Sequence, residues 1–327
     1  MVFPKANAFE IRELELESPG SDDIVVKTLV TAISPGTERW VLKGRHLGTV
    51  FPNVPGYHRI GIVEECGKNV KNFRPGDVVY GSGNRWKGEV KPMFGAHVGM
   101  SVGDWRGYSF IAPAIPTRLE LETQAFAIVA GVANRGMRYL KVQPYQKMVI
   151  IGAGFIGLCA AQMAQTFRAE PVLVDIDEDK IALAKYLGLN ALNGARKETD
   201  GELKKIAPGG FDILYDTVGD APTTDRMVPL TRQRGTMCLQ AQYFDKERCA
   251  IDLDQIKIRE LQIVTSCGID DVDMVETLAQ IKNRTLKIDA MITHRFEAKD
   301  ALKGYELLLN GKPFNLGVVF RWDERVK

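Results

Sequence analysis

The sequence predicts a two-domain α/β protein, in which a mostly-β domain is followed by a parallel sheet that helices cover on both faces. The chain has 327 residues, and one domain commonly uses about 150, so two cores are expected. Over about the first 120 residues, runs of Val, Ile and Thr are separated by Pro-Gly and Gly turns, a pattern typical of short strands. Beyond them, strands alternate with helices about every 25–30 residues, which indicates βαβ units.

Two segments carry the strand pattern of the first domain, residues 22–34 and 59–81. The stretch from Gly81 to Gly107 is rich in glycine and has no strong period, so we expect a long, partly looped excursion that could line a site. Near Leu119 the pattern changes, because residues 119–142 space their apolar side chains as a helix does.

The second domain begins with a strand that leads directly into a helix. Met148–Ile151 form the strand, and residues 155–170 are rich in Ala, Gln, Leu and Met, which favour helix. The remaining elements follow along the chain, with strands predicted at 172–174, 211–219, 235–242, 261–268, 289–296 and 317–322, and helices at 177–189, near 221–232, at 271–284 and at 299–311.

The charge balance and the cysteines exclude several classes of protein. The 43 Lys and Arg residues against 41 Asp and Glu leave a net charge of +2, so no bulk field indicates a nucleic acid or an anionic membrane as partner. A small neutral molecule is the expected partner. The five cysteines are an odd number without a Cys-x-x-Cys pair, which argues against a disulfide framework and for a reducing compartment. No apolar run reaches the ~20 residues of a membrane span, and the N-terminal segment is acidic, so we expect a cytoplasmic protein.

A glycine motif at the end of the strand predicts a dinucleotide site. Gly152, Gly154 and Gly157 form a Gly-x-Gly-x-x-Gly pattern between a predicted strand and a predicted helix, where a Rossmann fingerprint must lie. In that interpretation Gly152 makes the tight turn, Gly154 lets the backbone approach a pyrophosphate, and Gly157 lets the helix pack on the strand. The helix N-terminus then faces the phosphates. A tight turn without a ligand is the alternative.

Asp175 follows the next strand, 18 residues beyond Gly157. An acid at about this distance accepts hydrogen bonds from the adenosine ribose and repels a 2′-phosphate, so we expect NAD(H) in preference to NADP(H). Lys180 could reach the same ribose from the following helix, with an exposed, solvated lysine as the alternative. Three further residues complete the predicted cofactor-binding set: Phe155, Ile156 and Val218.

Motifs outside the glycine turn match one family along nearly the whole chain. Residues 34–38, Ser-Pro-Gly-Thr-Glu, are similar to a "Cys-Gly-Thr-Asp" loop, and residues 55–63, Pro-Gly-Tyr-His-Arg-Ile-Gly-Ile-Val, to a "Gly-His-Glu-x-x-Gly-x-Val" segment. With these motifs the chain resembles the medium-chain dehydrogenase/reductase superfamily, which includes zinc alcohol dehydrogenases and quinone reductases. The resemblance implies a GroES-like catalytic domain over 1–124 and 269–327 and a Rossmann domain over 125–268.

The departures from the family pattern concern its zinc sites. At the family's catalytic-zinc ligands this chain has Pro35, Tyr57, His58 and Ala130, whereas such a site needs three Cys, His or carboxylate ligands and an open position. The region 81–118 has none of the four cysteines of the family's structural zinc lobe. We therefore expect no metal.

Hydrogen bonding and proton transfer would then handle the substrate oxygen. The resemblance places Thr37 at a hydroxyl that relays a proton from the substrate, with a turn-capping threonine as the alternative. Tyr57 could hydrogen-bond the substrate oxygen or simply pack, and His58, with an ordinary pKa of about 6.5, suits acid–base work or a place in the core. We expect Tyr57, with Thr37 or His58, to position and protonate this oxygen while the nicotinamide moves the hydride. The candidate substrate-lining residues are Trp40 and His97.

Three functions remain open at this point. The first is a zinc-independent NAD(H)-linked oxidoreductase that interconverts an alcohol and a ketone. Residues 34–38 and 55–57 resemble the branch that includes bacteriochlorophyllide hydroxyethyl dehydrogenases, which favours a bulky secondary alcohol. The second is a quinone or enoyl reductase acting on a conjugated C=C bond; these usually prefer NADPH, so Asp175 counts against it. The third is a nucleotide-binding protein without catalysis. The resemblance also implies a homodimer or homotetramer.

Overall fold

The computed structural model describes residues 1–326, which form two compact units. One unit comprises Met1–Ile128 together with the chain from Ile288 onward, and the other comprises Val129–Lys287. The glycine motif lies in the second unit. The sequence places the two changes of domain after residues 124 and 268, whereas the structure places them after Ile128 and Lys287.

Fifteen strands and ten α-helices are present in residues 1–326. The strands are β1 (Asp23–Ala32), β2 (Asn53–Val54), β3 (Arg59–Cys66), β4 (Val78–Gly81), β5 (Lys91–Pro92), β6 (Met100–Asp104), β7 (Tyr108–Ala112), β8 (Lys147–Ile151), β9 (Glu170–Asp175), β10 (Asn190–Asn193), β11 (Phe211–Asp216), β12 (Thr231–Leu239), β13 (Gln262–Thr265), β14 (Ile292–Glu297) and β15 (Gly317–Arg321). The helices are α1 (Pro35–Leu42), α2 (Arg118–Gln124), α3 (Ala127–Leu140), α4 (Phe155–Thr166), α5 (Glu178–Tyr186), α6 (Thr199–Ile206), α7 (Ala221–Met227), α8 (Leu253–Ile258), α9 (Asp271–Lys282) and α10 (Ala301–Asn310).

Strand β1 is the centre of the main sheet of the first unit. This sheet has the order β14-β15-β1-β3-β4-β7, and β6 also pairs with β1. Most of the residues of β1 are buried, in keeping with its apolar sequence. Irregularities at Val25/Val26 and Thr28/Val30 bend the strand, so β6 pairs with its first half and β15 with its second half.

The second unit is built on a six-stranded parallel sheet in the order β10-β9-β8-β11-β12-β13. This is the strand order 3-2-1-4-5-6 of doubly wound sheets, which bind ligands at the carboxyl ends of the strands where the order reverses. The reversal lies at β8, which pairs with both β9 and β11. Strands β8, β9 and β11 are almost continuously buried, as expected for a sheet with both faces covered. The predicted fold class is confirmed.

Helix α9 belongs to the second unit, although the sequence places it in the first domain. Asp273 has no exposed surface, and its carboxylate accepts hydrogen bonds from Arg135 Nη1 at 3.1 Å and Arg138 Nη1 at 2.5 Å, both on α3. A buried carboxylate needs such partners, so α9 is fixed to α3 and the boundary moves to Lys287. Periodicity predicts the helix but not the element that it contacts.

Several short elements escape prediction. The helical pattern over 119–142 is two helices, because Thr117 and Glu120 form a capping box that begins α2 and the chain turns between α2 and α3. Helix α1 begins with Pro35 and Gly36; the glycine lowers helix propensity, whereas proline is well tolerated at this first position. Strand β10 and helix α6 are also absent from the predicted pattern, since each is short and largely polar.

Arg59, at the start of β3, has no exposed surface. Its guanidinium donates hydrogen bonds to neutral groups, among them the Ser101 hydroxyl (2.7 Å), the Tyr108 hydroxyl (2.8 Å) and the Gly95 carbonyl (2.8 Å). The other acceptors are the Gly83 and Ala96 carbonyls and the Asn84 side chain. All of them except Tyr108 lie in the Gly81–Gly107 stretch predicted as a looped excursion. Arg59 is therefore the interior support of that segment.

In residues 1–326, no helix combines the length and the apolar character that crossing a bilayer requires.

Replacing Arg59 by Met should destabilise the first unit by about 3 kcal/mol or more, because several buried carbonyls and hydroxyls lose their donor at once. Urea unfolding followed by tryptophan fluorescence measures the change. Arg74→Met is the matched control, since the Arg74 side chain is 77% exposed and should shift stability by less than about 1 kcal/mol. Equal stability of the two variants would contradict the role assigned to Arg59.

Candidate functional site

The turn from β8 to α4 has the backbone geometry of a dinucleotide-binding loop. Gly152 has a φ of +98°, which favours glycine. A Cβ on Gly157 would lie 2.0 Å from the Gly152 carbonyl oxygen, so helix and strand approach too closely for any side chain there. Gly154 precedes α4, and no atom lies within 4 Å of the place that a Cβ on it would take. The space above Gly154 is thus open to a ligand, as the pyrophosphate interpretation requires.

Asp175, at the end of β9, accepts a hydrogen bond from the backbone of this turn. Its Oδ2 accepts a hydrogen bond from Ala153 N at 2.8 Å, and its Oδ1 accepts one from Asp177 N at 3.0 Å. Lys180 Nζ lies 3.7 Å from Oδ2. The carboxylate therefore has backbone donors and a nearby cation, and Lys180 neutralises part of its charge.

The turn after β11 lies against the glycine turn. A Cβ on Gly152 would lie 2.6 Å from Val218 Cγ2 and 2.7 Å from Thr217 Oγ1. The buried carboxylate of Asp216 fixes this second turn by accepting from Val218 N at 2.9 Å. Val218 is 52% exposed and so faces outward at the carboxyl end of the sheet. The two remaining predicted cofactor residues open α4, with Phe155 buried and Ile156 half-buried.

In the first unit, the structure brings Thr37 and Tyr57 together. Thr37 lies in the first turn of α1, and Tyr57 follows the Pro55-Gly56 turn that leads into β3. The Thr37 and Tyr57 hydroxyl oxygens are 2.8 Å apart, a normal hydrogen-bond length. Both residues are half-buried. The Tyr57 ring also contacts Phe94, with 4.3 Å between ring centroids. A hydroxyl pair of this kind can pass a proton and still contact a third oxygen.

His58 lies beside Tyr57 in sequence but in a different environment. Its ring contacts Tyr80 edge to face at 5.1 Å, and its Nδ1 is buried without a hydrogen-bond partner. Burial, helped by the charge of Arg59, lowers the pKa of His58 from 6.5 to about 4. His58 is therefore neutral at pH 7, and the expectation of an imidazole that titrates near neutrality is corrected.

His97 is completely buried, so the structure corrects its assignment to the wall of a substrate site. Trp322 Nε1 donates to Thr31 Oγ1 at 2.8 Å, and Thr31 Oγ1 lies 2.8 Å from His97 Nδ1. An indole N–H only donates, so the Thr31 proton is free for Nδ1 and we assign the His97 proton to Nε2. That nitrogen lies 3.1 Å from Glu38 Oε2.

Glu38 is a residue that sequence reasoning missed. It is 1% exposed, and besides His97 its carboxylate accepts from Ser34 N at 2.8 Å and from the Tyr305 hydroxyl at 2.7 Å. Burial and the Glu38 charge raise the pKa of Tyr305 well above its ordinary value, so Tyr305 remains a donor. Glu38 joins the start of α1 to the core and thereby positions its neighbour Thr37. The signal was visible, since Glu38 occupies the acidic position of the Gly-Thr-Asp motif.

Trp40, the other predicted substrate-lining residue, is half-buried one helical turn after Thr37. Residues three apart on a helix are neighbours, about 5–6 Å between Cβ atoms. Trp40 therefore lies on the same face of α1 as the hydroxyl pair.

The residues present do not fit a zinc ion. The predicted ligand positions hold Pro35, Tyr57, His58 and Ala130, of which only His58 is an ordinary zinc ligand. Over residues 1–326, no three His, Cys, Asp or Glu side chains are grouped so that they could hold a metal ion. This set of donors is therefore unsuited to the ion.

Two protein-family models match the chain. The alcohol dehydrogenase GroES-like domain matches residues 20–114, and the zinc-binding dehydrogenase model matches residues 156–283. Curated relatives include L-threonine 3-dehydrogenase of Coxiella burnetii, 26% identical with 94% of each chain covered, and D-arabitol-phosphate dehydrogenase of Enterococcus avium, 24% identical with 91% of this chain and 90% of the relative covered. A solved structure from Sinorhizobium meliloti 1021, described as a zinc-binding dehydrogenase bound to NADP, has a TM-score of 0.84 at 21% identity, with 98% of both chains covered.

These comparisons overturn the cofactor prediction. A family described as zinc-binding matches the chain, and a structural neighbour binds NADP, so the expectation of NAD(H) over NADP(H) without zinc is wrong. A physical reason for the NADP part is that Lys180 Nζ lies 3.7 Å from Asp175 Oδ2, and this cation offsets part of the repulsion between the carboxylate and a 2′-phosphate. On zinc, the family description and the donor set of this chain disagree. The predicted superfamily is confirmed: the chain belongs to the zinc-binding dehydrogenase family within the medium-chain dehydrogenase/reductase superfamily.

Proposed function

We propose that the protein is an NAD(P)-dependent oxidoreductase that interconverts a secondary alcohol and a ketone. The observation that carries the proposal is the Thr37–Tyr57 hydroxyl pair, 2.8 Å apart, in a chain whose other unit has an open glycine turn at the carboxyl end of a doubly wound sheet. The curated relatives named above are dehydrogenases of an amino-acid alcohol and of a sugar-alcohol phosphate, which supports the same reaction class.

A nicotinamide cofactor held at the Gly152–Gly157 turn, beside Asp175 and Val218, would supply or accept the hydride. The protein handles the proton: during ketone reduction, Tyr57 donates its hydroxyl proton to the substrate oxygen and draws a proton through Thr37. In the oxidation direction the alcohol proton returns along the same pair to water. The pair is half-buried, which shields the transfer from bulk solvent and keeps it within reach of water. Hydrogen-bond donors fixed in place beforehand stabilise the charge that develops on the oxygen.

The size of the substrate is the next part of the proposal. The motifs at residues 34–38 and 55–57 resemble the branch that acts on a bulky hydroxyethyl group. Phe94, whose ring lies against Tyr57, is 36% exposed, and Trp40 is half-buried beside Thr37. Two accessible aromatic rings near the hydroxyl pair support a substrate with a large apolar part.

A homodimer remains our proposal for the assembly. Strand β13 lies at the edge of the parallel sheet and pairs with β12 alone in residues 1–326. Its residue Ile263 is 49% exposed, and the preceding helix α8 exposes Leu253 at 72% and Ile258 at 66%. An open edge flanked by exposed aliphatic side chains favours pairing with a second copy.

Tyr57→Phe should lower kcat for ketone reduction by about 100-fold or more, because the proton donor to the forming alkoxide is lost. Thr37→Val should act in the same direction. Steady-state kinetics over an alcohol and ketone panel, with both NAD(H) and NADP(H), measures the effect. Tyr145→Phe is the matched control, since Tyr145 is 74% exposed and should retain wild-type rates. An unchanged rate in Tyr57→Phe would remove this tyrosine from the mechanism.

Gly154→Ala and Gly157→Ala separate cofactor binding from folding. At Gly154 the added methyl group meets no protein atom, so the melting temperature should be unchanged, while affinity for both cofactors falls about tenfold (1.4 kcal/mol) or more. At Gly157 it would meet the Gly152 carbonyl and cost about 3 kcal/mol of stability. Thermal unfolding and fluorescence titration with NADH and NADPH provide the two measurements. Full cofactor affinity in Gly154→Ala would show that no pyrophosphate contacts this turn.

His58 should affect stability in acid and leave the pH profile of activity near neutrality unchanged. Its pKa is lowered to about 4 in the folded protein, so the unfolded chain takes up the proton first as pH falls below about 6.5. The stability that neutral His58 contributes to the folded protein is complete above pH 6.5 and is lost as the pH falls from about 6.5 to about 4. Urea unfolding of wild type and His58→Gln at pH 7, 6, 5 and 4 should give curves that converge in acid. Parallel curves would show that His58 is protonated normally.

A further inference from the structure

The segment that follows Thr37 is basic and has no acid of its own. Residues 39–46, Arg-Trp-Val-Leu-Lys-Gly-Arg-His, contain Arg39, Lys43, Arg45 and His46, and the next carboxylate after Glu38 is Glu64. We call residues 39–46 the basic segment. In a chain with nearly balanced charge, such a run without acids is a local excess of positive charge.

Arg39 carries a charge that nothing in residues 1–326 neutralises. It is half-buried, and its Nε is buried without a hydrogen-bond partner. Burial lowers the pKa of its guanidinium below the ordinary value. A partly buried charge without a partner is costly, so its presence calls for a compensating ligand.

The neighbouring acid cannot supply that compensation. The Glu38 carboxylate is turned into the core, where Ser34 N, His97 and Tyr305 occupy it. Arg39 and Lys43 are four residues apart on α1 and its C-cap, and like charges at this spacing repel. The isolated protein therefore holds two cations close together with no anion between them.

Two other cations of the basic segment lie over the Trp40 ring. Lys43 Nζ lies 5.6 Å and the Arg45 guanidinium carbon 6.0 Å from the centre of its ring. Arg45 N donates to the Trp40 carbonyl at 2.9 Å, which turns the chain back over the helix end. An aromatic face holds a cation in place without neutralising it, so both charges stay available to a ligand.

The basic segment is continuous with the hydroxyl pair. Trp40 follows Thr37 by one turn of α1. On the other side, the His46 ring lies 6.0 Å from the Phe94 ring, and Phe94 lies 4.3 Å from Tyr57. Gly36, one turn before Arg39, has nothing within 4 Å of where a Cβ would be. Open space therefore lies at Gly36, on the Arg39 side of α1 and next to Thr37 in the chain.

We propose that the basic segment binds an anionic group, a carboxylate or a phosphate, carried by the secondary-alcohol substrate. The inference rests on the proposed function for the identity of the reaction, and on the unpaired cations for the anion. Arg39 offers a planar pair of donors to two anion oxygens, while Lys43 and Arg45 add charge from the side of Trp40. The substrate class is therefore a hydroxy acid or a hydroxyalkyl phosphate.

Matched substrate pairs test the proposal. 3-Hydroxybutyrate and 2-butanol share a secondary alcohol and differ in the carboxylate, and glycerol 3-phosphate and glycerol differ in the phosphate. We expect kcat/KM for at least one anionic member to exceed that of its neutral partner by about tenfold or more (1.4 kcal/mol). Which pair shows the preference distinguishes carboxylate from phosphate. Equal, measurable rates within both pairs would overturn the proposal that the substrate carries the anion and would leave the oxidoreductase intact.

Variants assign the preference to the basic segment. Arg39→Gln should abolish it mainly through KM, and Lys43→Gln should weaken it, whereas Arg106→Gln, an exposed charge-matched control in the same unit, should leave it unchanged. Arg39→Gln should have an equal or higher melting temperature than wild type, because it removes an uncompensated charge. If Arg39→Gln fails to fold, Lys43→Gln decides alone. A preference retained in every variant that folds would overturn the proposal.

A binding measurement separates this proposal from the reaction itself. Isothermal titration of the apoprotein with inorganic phosphate should show binding that Arg39→Gln weakens about tenfold. Phosphate binding that Gly154→Ala weakens and Arg39→Gln leaves unchanged would assign the anion to the glycine turn and overturn the proposal. If none of the four substrates reacts with NAD(H) or NADP(H) but this Arg39-dependent binding is present, the proposed reaction fails and the anion site stands. Absence of Arg39-dependent binding together with equal substrate rates removes the site.

Discussion

A single buried carboxylate, that of Glu38, fixes the part of the first unit on which the proposed chemistry depends. Three elements donate to it: the backbone at Ser34, the His97 ring and the Tyr305 hydroxyl on α10. A buried carboxylate without donors costs several kcal/mol, so these donors are needed for Glu38 to be buried. Because Glu38 lies in the first turn of α1, the same contacts set where Thr37 points.

Arg59 is a buried charge of the opposite sign, and it needs hydrogen-bond acceptors in the interior. It is fully buried, and carbonyls and hydroxyls rather than a carboxylate surround its guanidinium. These acceptors lie in residues 83–108, on both sides of Phe94. The arginine therefore helps to hold in place a stretch of loops and short strands. The Gly95 carbonyl is one of the acceptors, which places the Phe94 ring against Tyr57 indirectly. The buried charges of Glu38 and Arg59 thus fix the surroundings of Thr37 and of Tyr57, respectively.

In the second unit, Asp175 shows how one residue can serve two purposes. Its carboxylate accepts backbone hydrogen bonds from the glycine turn and from the start of α5. An acid at this position can therefore be required by the turn itself, whichever nucleotide is bound. The presence of an acid at this position therefore does not by itself identify the nucleotide.

Much of the architecture follows from the sequence alone. Apolar runs, glycine turns and the strand–helix alternation predict the long apolar strands of both units and the alternation of the βαβ part, because the spacing of apolar residues is a local property of the chain. Motif spacing also predicts the glycine turn, and the family resemblance names Thr37 and Tyr57, although only the structure shows that their hydroxyl oxygens are 2.8 Å apart. The boundary after Lys287, the burial of His97, the low pKa of His58 and the roles of Glu38 and Arg59 come only from the tertiary structure. Each of these depends on which distant groups surround a polar side chain, and burial of a charge is a property of its neighbours in space rather than of its neighbours in sequence.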